Sequence, residues 1–131
     1  TDLAEKIDLI SSSPGENLYT VYHWWDTVQI FIRCSDFAHN FMLNHQVAVV
    51  ACEQHGMDYT LVITSLIHVI SRPFCRTLSG FLKLIEHEWI SAGHPFFYRR
   101  KLVYFDITKT YNESGSGPTF LLFLNCIYEL L

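Results

Sequence analysis

Apolar residues recur at three- and four-residue intervals along much of the chain, the spacing that places side chains on one face of an α-helix. The predicted helices run from about Tyr22 to Leu43, over Tyr59–Ser71, from about Thr77 to Ser91 and from Pro118 through Leu131. Weak helical periodicity also covers Thr1–Ile10. Pro73 and the Ala92-Gly93 pair end the second and third helices, since proline breaks the hydrogen-bond ladder and glycine favours a helix C-terminus.

One segment between the first two helices has a different pattern. Gln46–Ala51 contains the continuous apolar run Val47-Ala48-Val49-Val50. Such a run, rich in β-branched residues, predicts a buried strand that is apolar on both faces, as in a parallel sheet. Cys52–Asp58 follows with Gly56 and several polar residues, and it predicts a turn. The expected order is therefore strand, turn and helix N-terminus.

The composition indicates a folded chain with a large core. Its 131 residues suit one domain, and 50% hydrophobic with 17% charged residues excludes intrinsic disorder. Seven Tyr, ten Phe and three Trp supply a surplus of apolar area. That surplus suits a segment of a larger domain, and we expect the isolated chain to expose apolar helix faces and to self-associate or misfold.

Charge and cysteine spacing exclude several classes of function. A net charge of −4 and a pI of about 5.9 argue against a nucleic-acid or anionic-membrane footprint. The four cysteines form no CxxC pair, so we expect buried reduced thiols and neither a zinc site nor a cofactor. No apolar run approaches the roughly 20 residues that span a bilayer, and no signal peptide opens the chain. The expectation is a soluble, cytoplasmic protein.

A strand, a tight turn and a helix N-terminus together form an anion site, because unpaired backbone amides and the helix dipole favour negative charge. Cysteine phosphatases place a thiolate on such a turn, where the surrounding amides lower its pKa and it attacks phosphorus. Six residues later an arginine holds two phosphate oxygens. The turn that follows Val50 is the place where this chemistry is expected.

The turn resembles the catalytic loop of the myotubularin phosphoinositide phosphatases. Gly56, Asp58 and Thr60 set the register of that resemblance. In this register Glu53 stands at the nucleophile position and Tyr59 stands at the arginine position. His55 replaces an aspartate of the active family members, and Met57 replaces a tryptophan.

Longer stretches outside the turn strengthen the resemblance. They are Arg33-Cys34-Ser35-Asp36, which is similar to the inactive adapter subgroup, and then Arg76–Phe81, Leu84–Trp89, Gly93–Phe96 and Pro118–Cys126. The resemblance covers most of Tyr22–Leu131, and the Phe97–Gly117 stretch departs from it.

The resemblance implies a fold, a function and a partner. The implied fold is the α/β cysteine-phosphatase fold, mainly helical in this segment with a central strand, and residues 1–131 would form an incomplete C-terminal portion of the domain. The implied function is that of a catalytically inactive adapter, which binds an active myotubularin-family phosphatase and regulates its handling of 3-phosphorylated phosphoinositides, with membrane association through that partner. The degenerate loop with no catalytic residue comprises Cys52, Glu53, Gln54, His55, Gly56, Met57, Asp58 and Tyr59.

Two alternatives stay open. A weakly active phosphatase would use Cys52 as a shifted nucleophile, but Asp58 stands six residues later and no Lys or Arg occurs between Arg33 and Arg72. A scaffold would fold in the same way without any phosphatase partner.

Three smaller groups of residues have simple structural interpretations. The Arg99-Arg100-Lys101 cluster is expected on a solvated face. His87 and His94 are expected to pack or cap rather than to bind metal. The tryptophans Trp24, Trp25 and Trp89 are expected as core anchors, with a partner-facing role as the alternative.

Overall fold

A computed structural model describes residues 21–53, 56–99 and 118–131 of the chain. Its helices are α1 (Val21–His45), α2 (Tyr59–Ser71), α3 (Leu78–Ile85) and α4 (Thr119–Leu130). A 3₁₀ turn, Pro73–Arg76, precedes α3, and a π-helical turn, Glu86–Ile90, extends it. The four helices predicted over these residues are thus confirmed, whereas the predictions for residues 1–20 and 100–117 lie outside the described residues.

Helix α1 packs on α2 and α4 through the face that the apolar spacing predicted. Val28, Phe31 and Ser35 are buried at successive turns, and the Ser35 hydroxyl donates to the Phe31 carbonyl oxygen at 2.8 Å. The helix ends where Gln46 takes a φ of 53°, in the left-handed region that few residues other than glycine adopt. This change of backbone direction leads the chain away from α1 and toward the turn.

Helix α2 lies at the centre of the bundle, in contact with α1, α4 and the segment that contains α3. Its buried side chains are Leu61, Val62, Ser65, Leu66 and Val69. Arg72 is extended, with a φ of −120°, because the ring of Pro73 disfavours helical geometry in the residue before it. Proline therefore ends α2 at the predicted place and opens the 3₁₀ turn.

Helix α3 begins with a side-chain cap and a close backbone contact. The Thr77 hydroxyl accepts from the Gly80 amide at 3.1 Å, which satisfies one of the unpaired donors of the first turn. Gly80 packs so tightly on the preceding turn that a Cβ atom there would lie 1.9 Å from the Phe74 carbonyl oxygen. Gly93, with a φ of 82°, ends the segment as predicted.

Trp89 anchors the core between α2 and α4. It is fully buried, and its indole nitrogen donates to the Ser65 hydroxyl at 3.0 Å, so its polar atom is satisfied. Its ring lies 4.9 Å from Phe120 and 5.3 Å from Phe123, measured between ring centroids. Of the other tryptophans, Trp24 packs partly against the core, but Trp25 is half exposed, so the prediction that it anchors the core is wrong.

The predicted strand at Gln46–Ala51 is absent. Residues 47–53 have no regular structure, and Val50 is 80% exposed where the pattern predicted burial. A strand is held by hydrogen bonds and side-chain pairs with a neighbouring strand, and the described residues contain no other strand to supply them. The apolar run therefore lies on the surface of the bundle in this structure.

Many other large apolar side chains are exposed on the outer faces of the helices. On α1 these include Phe37 and Phe41, whose rings stack with centroids 5.9 Å apart. Leu78 and Leu82 on α3 and Tyr128 on α4 are exposed as well. The expectation that apolar helix faces remain uncovered is confirmed, and self-association remains a prediction.

Candidate functional site

The predicted loop joins the surface segment after α1 to the N-terminus of α2. Gly56 has a φ of 64°, a left-handed conformation that glycine adopts without steric cost, and it turns the chain back toward α2. Asp58 is the N-cap residue of α2, yet its side chain makes no capping hydrogen bond. Two residues of the predicted loop, Gln54 and His55, lie outside the described residues.

The side chain of Glu53 caps α2 instead. Its Oε2 accepts from the amide of Asp58 at 3.2 Å and from the amide of Thr60 at 3.1 Å. A carboxylate at a helix N-terminus pairs with orphan N–H groups and with the positive end of the helix dipole. The residue at the predicted nucleophile position thus occupies, with its own negative charge, backbone amides of the kind that bind phosphate at such a turn.

The side chain of Asp58 points away from the cap and into the interior. It is 1% exposed, and its two oxygens accept from Nε and Nη2 of Arg99, with the Nε contact at 3.0 Å. The Thr119 hydroxyl, at the start of α4, donates to Oδ1 at 3.0 Å. A fork of two guanidinium donors on one carboxylate is the geometry that compensates a buried charge best. We call Asp58, Arg99 and Thr119 the Asp58 network.

His94 supports the same turn from the side of the π-helical segment. Its Nδ1 lies 2.6 Å from the Met57 carbonyl oxygen and 3.7 Å from Asp58 Oδ1. Because a carbonyl oxygen only accepts, Nδ1 carries the proton. The ring packs edge-on against Trp89 at 5.0 Å, and its buried Nε2 has no hydrogen-bond partner among the described residues. The packing role predicted for His94 is confirmed, with an added hydrogen bond to the turn.

Tyr59, at the predicted arginine position, is turned toward α1. Its ring lies 5.5 Å from the ring of Phe31, and the residue is partly buried. A phenol carries one hydroxyl donor and no positive charge at neutral pH, whereas a guanidinium offers a fixed fork of donors. Tyr59 therefore cannot hold two phosphate oxygens in the way that the replaced arginine would.

The remaining described loop residues lie at or near the protein surface. Met57 and Cys52 are exposed, and Gly56 is half-buried. The exposure of Cys52 corrects the prediction that the cysteines are buried, and the strand at whose end Cys52 was expected is absent. In the described part of the chain, no three side chains among His, Cys, Asp and Glu are grouped to hold a metal ion.

Arg99 corrects a second prediction. The sequence assigned it to a solvated basic cluster, but it is 9% exposed and paired with Asp58. One helical turn, in which the Arg99 amide donates to the Pro95 carbonyl at 3.0 Å, directs it inward. Arg100 and Lys101 lie outside the described residues. Thr119 was also missed, since nothing in the local pattern distinguishes its hydroxyl from that of a surface threonine.

The four thiols differ in environment, which gives a testable difference in reactivity. Burial raises the pKa of Cys126 to about 12 and also raises the pKa of Cys34. Since the thiolate is the reactive form, we expect an alkylating reagent at pH 8 to label exposed Cys52 first and buried Cys126 only after unfolding. Mass spectrometry of timed digests measures the order, and Cys52→Ser should remove the fast phase. Fast labelling of Cys126 in the folded protein would contradict it.

The raised pKa of Cys126 also predicts a pH dependence. The folded pKa lies above the unfolded value of about 8.5, so only the unfolded chain gains a thiolate between these two values. The contribution of this thiol to stability is complete below about pH 8.5 and falls as the pH rises toward 12. Cys126→Ala should flatten the alkaline decline in the urea midpoint.

Comparison with known proteins shows the family of the chain. Residues 10–131 match the family described as "Myotubularin-like phosphatase domain". The chain is similar to myotubularin-related protein 9-like of Bos taurus, with 37% identity over 107 residues, 82% of this chain and 19% of the relative. Myotubularin-related protein 11 of Homo sapiens is 33% identical over 108 residues, 82% of this chain and 14% of the relative.

Myotubularin-related protein 9 of Homo sapiens is 45% identical over 76 residues, 58% of this chain and 13% of the relative. The chain thus spans at most 19% of the length of these relatives. No solved structure matches the chain. Among the described residues, no helix is both long and apolar enough to cross a membrane.

Proposed function

Because the chain belongs to the myotubularin-like phosphatase family, we propose that it is the C-terminal portion of an inactive phosphatase domain that serves as an adapter for an active relative. In this proposal the domain has the α/β cysteine-phosphatase fold, and the segment 46–51 is one strand of its central sheet. The active relative removes phosphate from 3-phosphorylated phosphoinositides, and this chain reaches cytoplasmic membranes through it.

The position of the Glu53 carboxylate is the observation that carries the proposal. It accepts from the amides of Asp58 and Thr60, where a phosphatase loop would bind the phosphate of its substrate. An incoming phosphate would have to displace this carboxylate or bind beside it. At about 4 Å two negative charges repel by about 4 kcal/mol near a protein surface, so binding beside it is unfavourable.

The described residues of the turn offer no free cation to compensate that repulsion. The sequence between Arg33 and Arg72 carries no Lys or Arg, and Tyr59 stands at the arginine position. Arg99 reaches the turn, but both of its contacting nitrogens donate to Asp58. Transition-state stabilisation by a guanidinium is worth several kcal/mol in enzymes that use one. Its absence supports a binding role for the domain over a catalytic one.

Turnover by the protein alone is the first test. We expect phosphate release from 3-phosphorylated phosphoinositides at the rate of a blank reaction, and Cys52→Ser should leave that rate unchanged. The exposure of Cys52 is the one observation in favour of a weak thiol phosphatase. Turnover that Cys52→Ser abolishes would establish that alternative and reject the inactive adapter.

Association with an active relative is the second test. A tagged form of the protein should co-purify with a catalytically active myotubularin-family phosphatase, and adding the protein should change the turnover of that enzyme on phosphoinositide vesicles. The matched control is Glu53→Gln, which alters the turn without touching the exposed helix faces, and it should retain the partner. A protein that is folded but recovers no phosphatase would support the scaffold alternative.

A further inference from the structure

Asp58 occupies the position from which an aspartate ordinarily caps its own helix. An N-cap carboxylate accepts from the amide of the second or third helical residue, which for α2 is Thr60 or Leu61. In this structure the Asp58 carboxylate makes no such bond, and the Thr60 amide donates to Glu53. Two carboxylates therefore compete for one amide, and Glu53, the more distant of them in sequence, accepts from it.

The side chain that draws Asp58 away from the amide is Arg99. It lies 41 residues further along the chain, and it is directed inward by the turn that begins at Pro95. Its Nε and Nη2 hold both oxygens of Asp58, and its guanidinium also lies beside the Tyr98 ring, 5.7 Å from the centroid. Thr119 adds a third donor to the same carboxylate. Leaving these partners would strand a buried guanidinium, so Asp58 stays turned inward.

We propose that Arg99 is the positioning residue of the degenerate loop. By holding the Asp58 side chain inward, it leaves the Thr60 amide to Glu53. The Glu53 carboxylate therefore stays on the amides that would otherwise bind an anion. The backbone amide and the side chain of Asp58 thus serve two different partners. The amide donates to Glu53, and the carboxylate accepts from Arg99. Arg99, which lies outside the loop, thereby controls which of the two carboxylates accepts from the amides of the turn.

The inference goes beyond the proposed function, because it concerns how the turn is held and not whether it turns over phosphate. Turnover by the wild-type protein would overturn the proposed function, whereas the coupling between Arg99 and the Glu53 cap is measured without substrate and is tested separately. Failure of the inference would leave an inactive loop whose cap is set by some other contact.

A double-mutant cycle on the intact protein tests the inference, with hydrogen exchange at the Thr60 amide as the readout. In the wild-type background, Glu53→Ala should raise the exchange rate at Thr60 on the order of tenfold or more, because the amide loses the carboxylate that caps it. In the Arg99→Met background, the guanidinium no longer holds Asp58, and we expect Asp58 to turn and cap Thr60 itself. The same Glu53→Ala change should then alter the exchange rate by less than about twofold.

A merely structural role for Arg99 predicts a different result. Destabilisation of the fold would raise exchange at Thr60 equally with and without Glu53, and the two substitutions would be additive. Leu66→Ala, a change at a buried core residue in the middle of α2, is the matched control and should be additive with Glu53→Ala. Additive behaviour in the Arg99→Met background would overturn the inference.

A milder variant keeps the test decisive if Arg99→Met does not fold. Thr119→Val removes the third donor to Asp58 and leaves the charge pair in place. It should reduce the effect of Glu53→Ala on Thr60 exchange without abolishing it, because Asp58 is held less firmly. An effect of Glu53→Ala equal to that in the wild type would count against the role assigned to the Asp58 network.

Discussion

Replacing Asp58 with alanine is expected to lower the free energy of unfolding by about 3–5 kcal/mol, the cost of removing one partner from a buried ion pair. The Arg99 guanidinium would remain buried without the carboxylate that pairs with it, and the Thr119 hydroxyl would lose its acceptor. Urea unfolding followed by circular dichroism measures the change, provided that the slope of the transition is conserved.

The matched control for this prediction is Asp36→Ala. Asp36 is exposed on α1, and a surface substitution of this kind should change the free energy of unfolding by less than about 0.5 kcal/mol. The double variant Asp58→Ala/Arg99→Met should recover part of the loss, since it removes the stranded charge as well. Equal effects of Asp58→Ala and Asp36→Ala would show that the buried pair does not form.

Gly80→Ala is expected to destabilise the fold by about 3 kcal/mol, the upper end of the usual cost of overpacking. Helix propensity alone predicts the opposite sign, because alanine is favoured over glycine by about 1 kcal/mol in a helix interior. The close contact with the Phe74 carbonyl oxygen decides the outcome, since backbone on both sides must move to admit a Cβ atom. The melting temperature and the urea midpoint should both fall.

Ser79→Ala provides the comparison for Gly80→Ala. Ser79 is the preceding residue of α3 and is exposed, so its replacement with alanine should be neutral or slightly stabilising. If Gly80→Ala were as stable as Ser79→Ala, the tight packing of α3 on the 3₁₀ turn would be wrong.

The helices could be predicted from sequence because their determinants are local. The apolar residues of α2 recur at helical spacing, and Pro73 ends that helix by its own covalent geometry, so no distant contact is needed. The same holds for Gly93, whose left-handed φ is tolerated without steric cost. Burial of individual side chains was less predictable, as exposed Trp25 shows, because the helical pattern gives a face but not its partner.

The strand prediction failed because a strand is not a local structure. The apolar run from Val47 to Val50 has the composition of a buried strand, but its hydrogen bonds must come from neighbouring strands. The described residues contain none, and the run is exposed. Composition alone cannot distinguish a strand with neighbours from the same segment without them.

The register of the candidate site could be predicted from the sequence, but its hydrogen bonds and ion pairs could not. Spacing placed Glu53 and Tyr59 at the two reactive positions of the resembled loop, and it indicated a turn at Gly56. It gave no sign that Glu53 would cap α2 or that Asp58 would pair with a residue 41 positions away. Such long-range pairs depend on how separate elements pack. The three adjacent basic residues at Arg99 predicted a solvent-exposed face instead.

Mass spectrometry of a quenched reaction tests the central claim most directly. The protein is mixed with a 3-phosphorylated phosphoinositide, stopped in acid within a second, and digested, and the peptide that contains Cys52 is weighed. We expect an unmodified peptide at every time point, because Glu53 occupies the backbone amides of Asp58 and Thr60 and because Tyr59 stands in place of the arginine. A peptide heavier by one phosphoryl group, and absent from Cys52→Ser, would contradict the account.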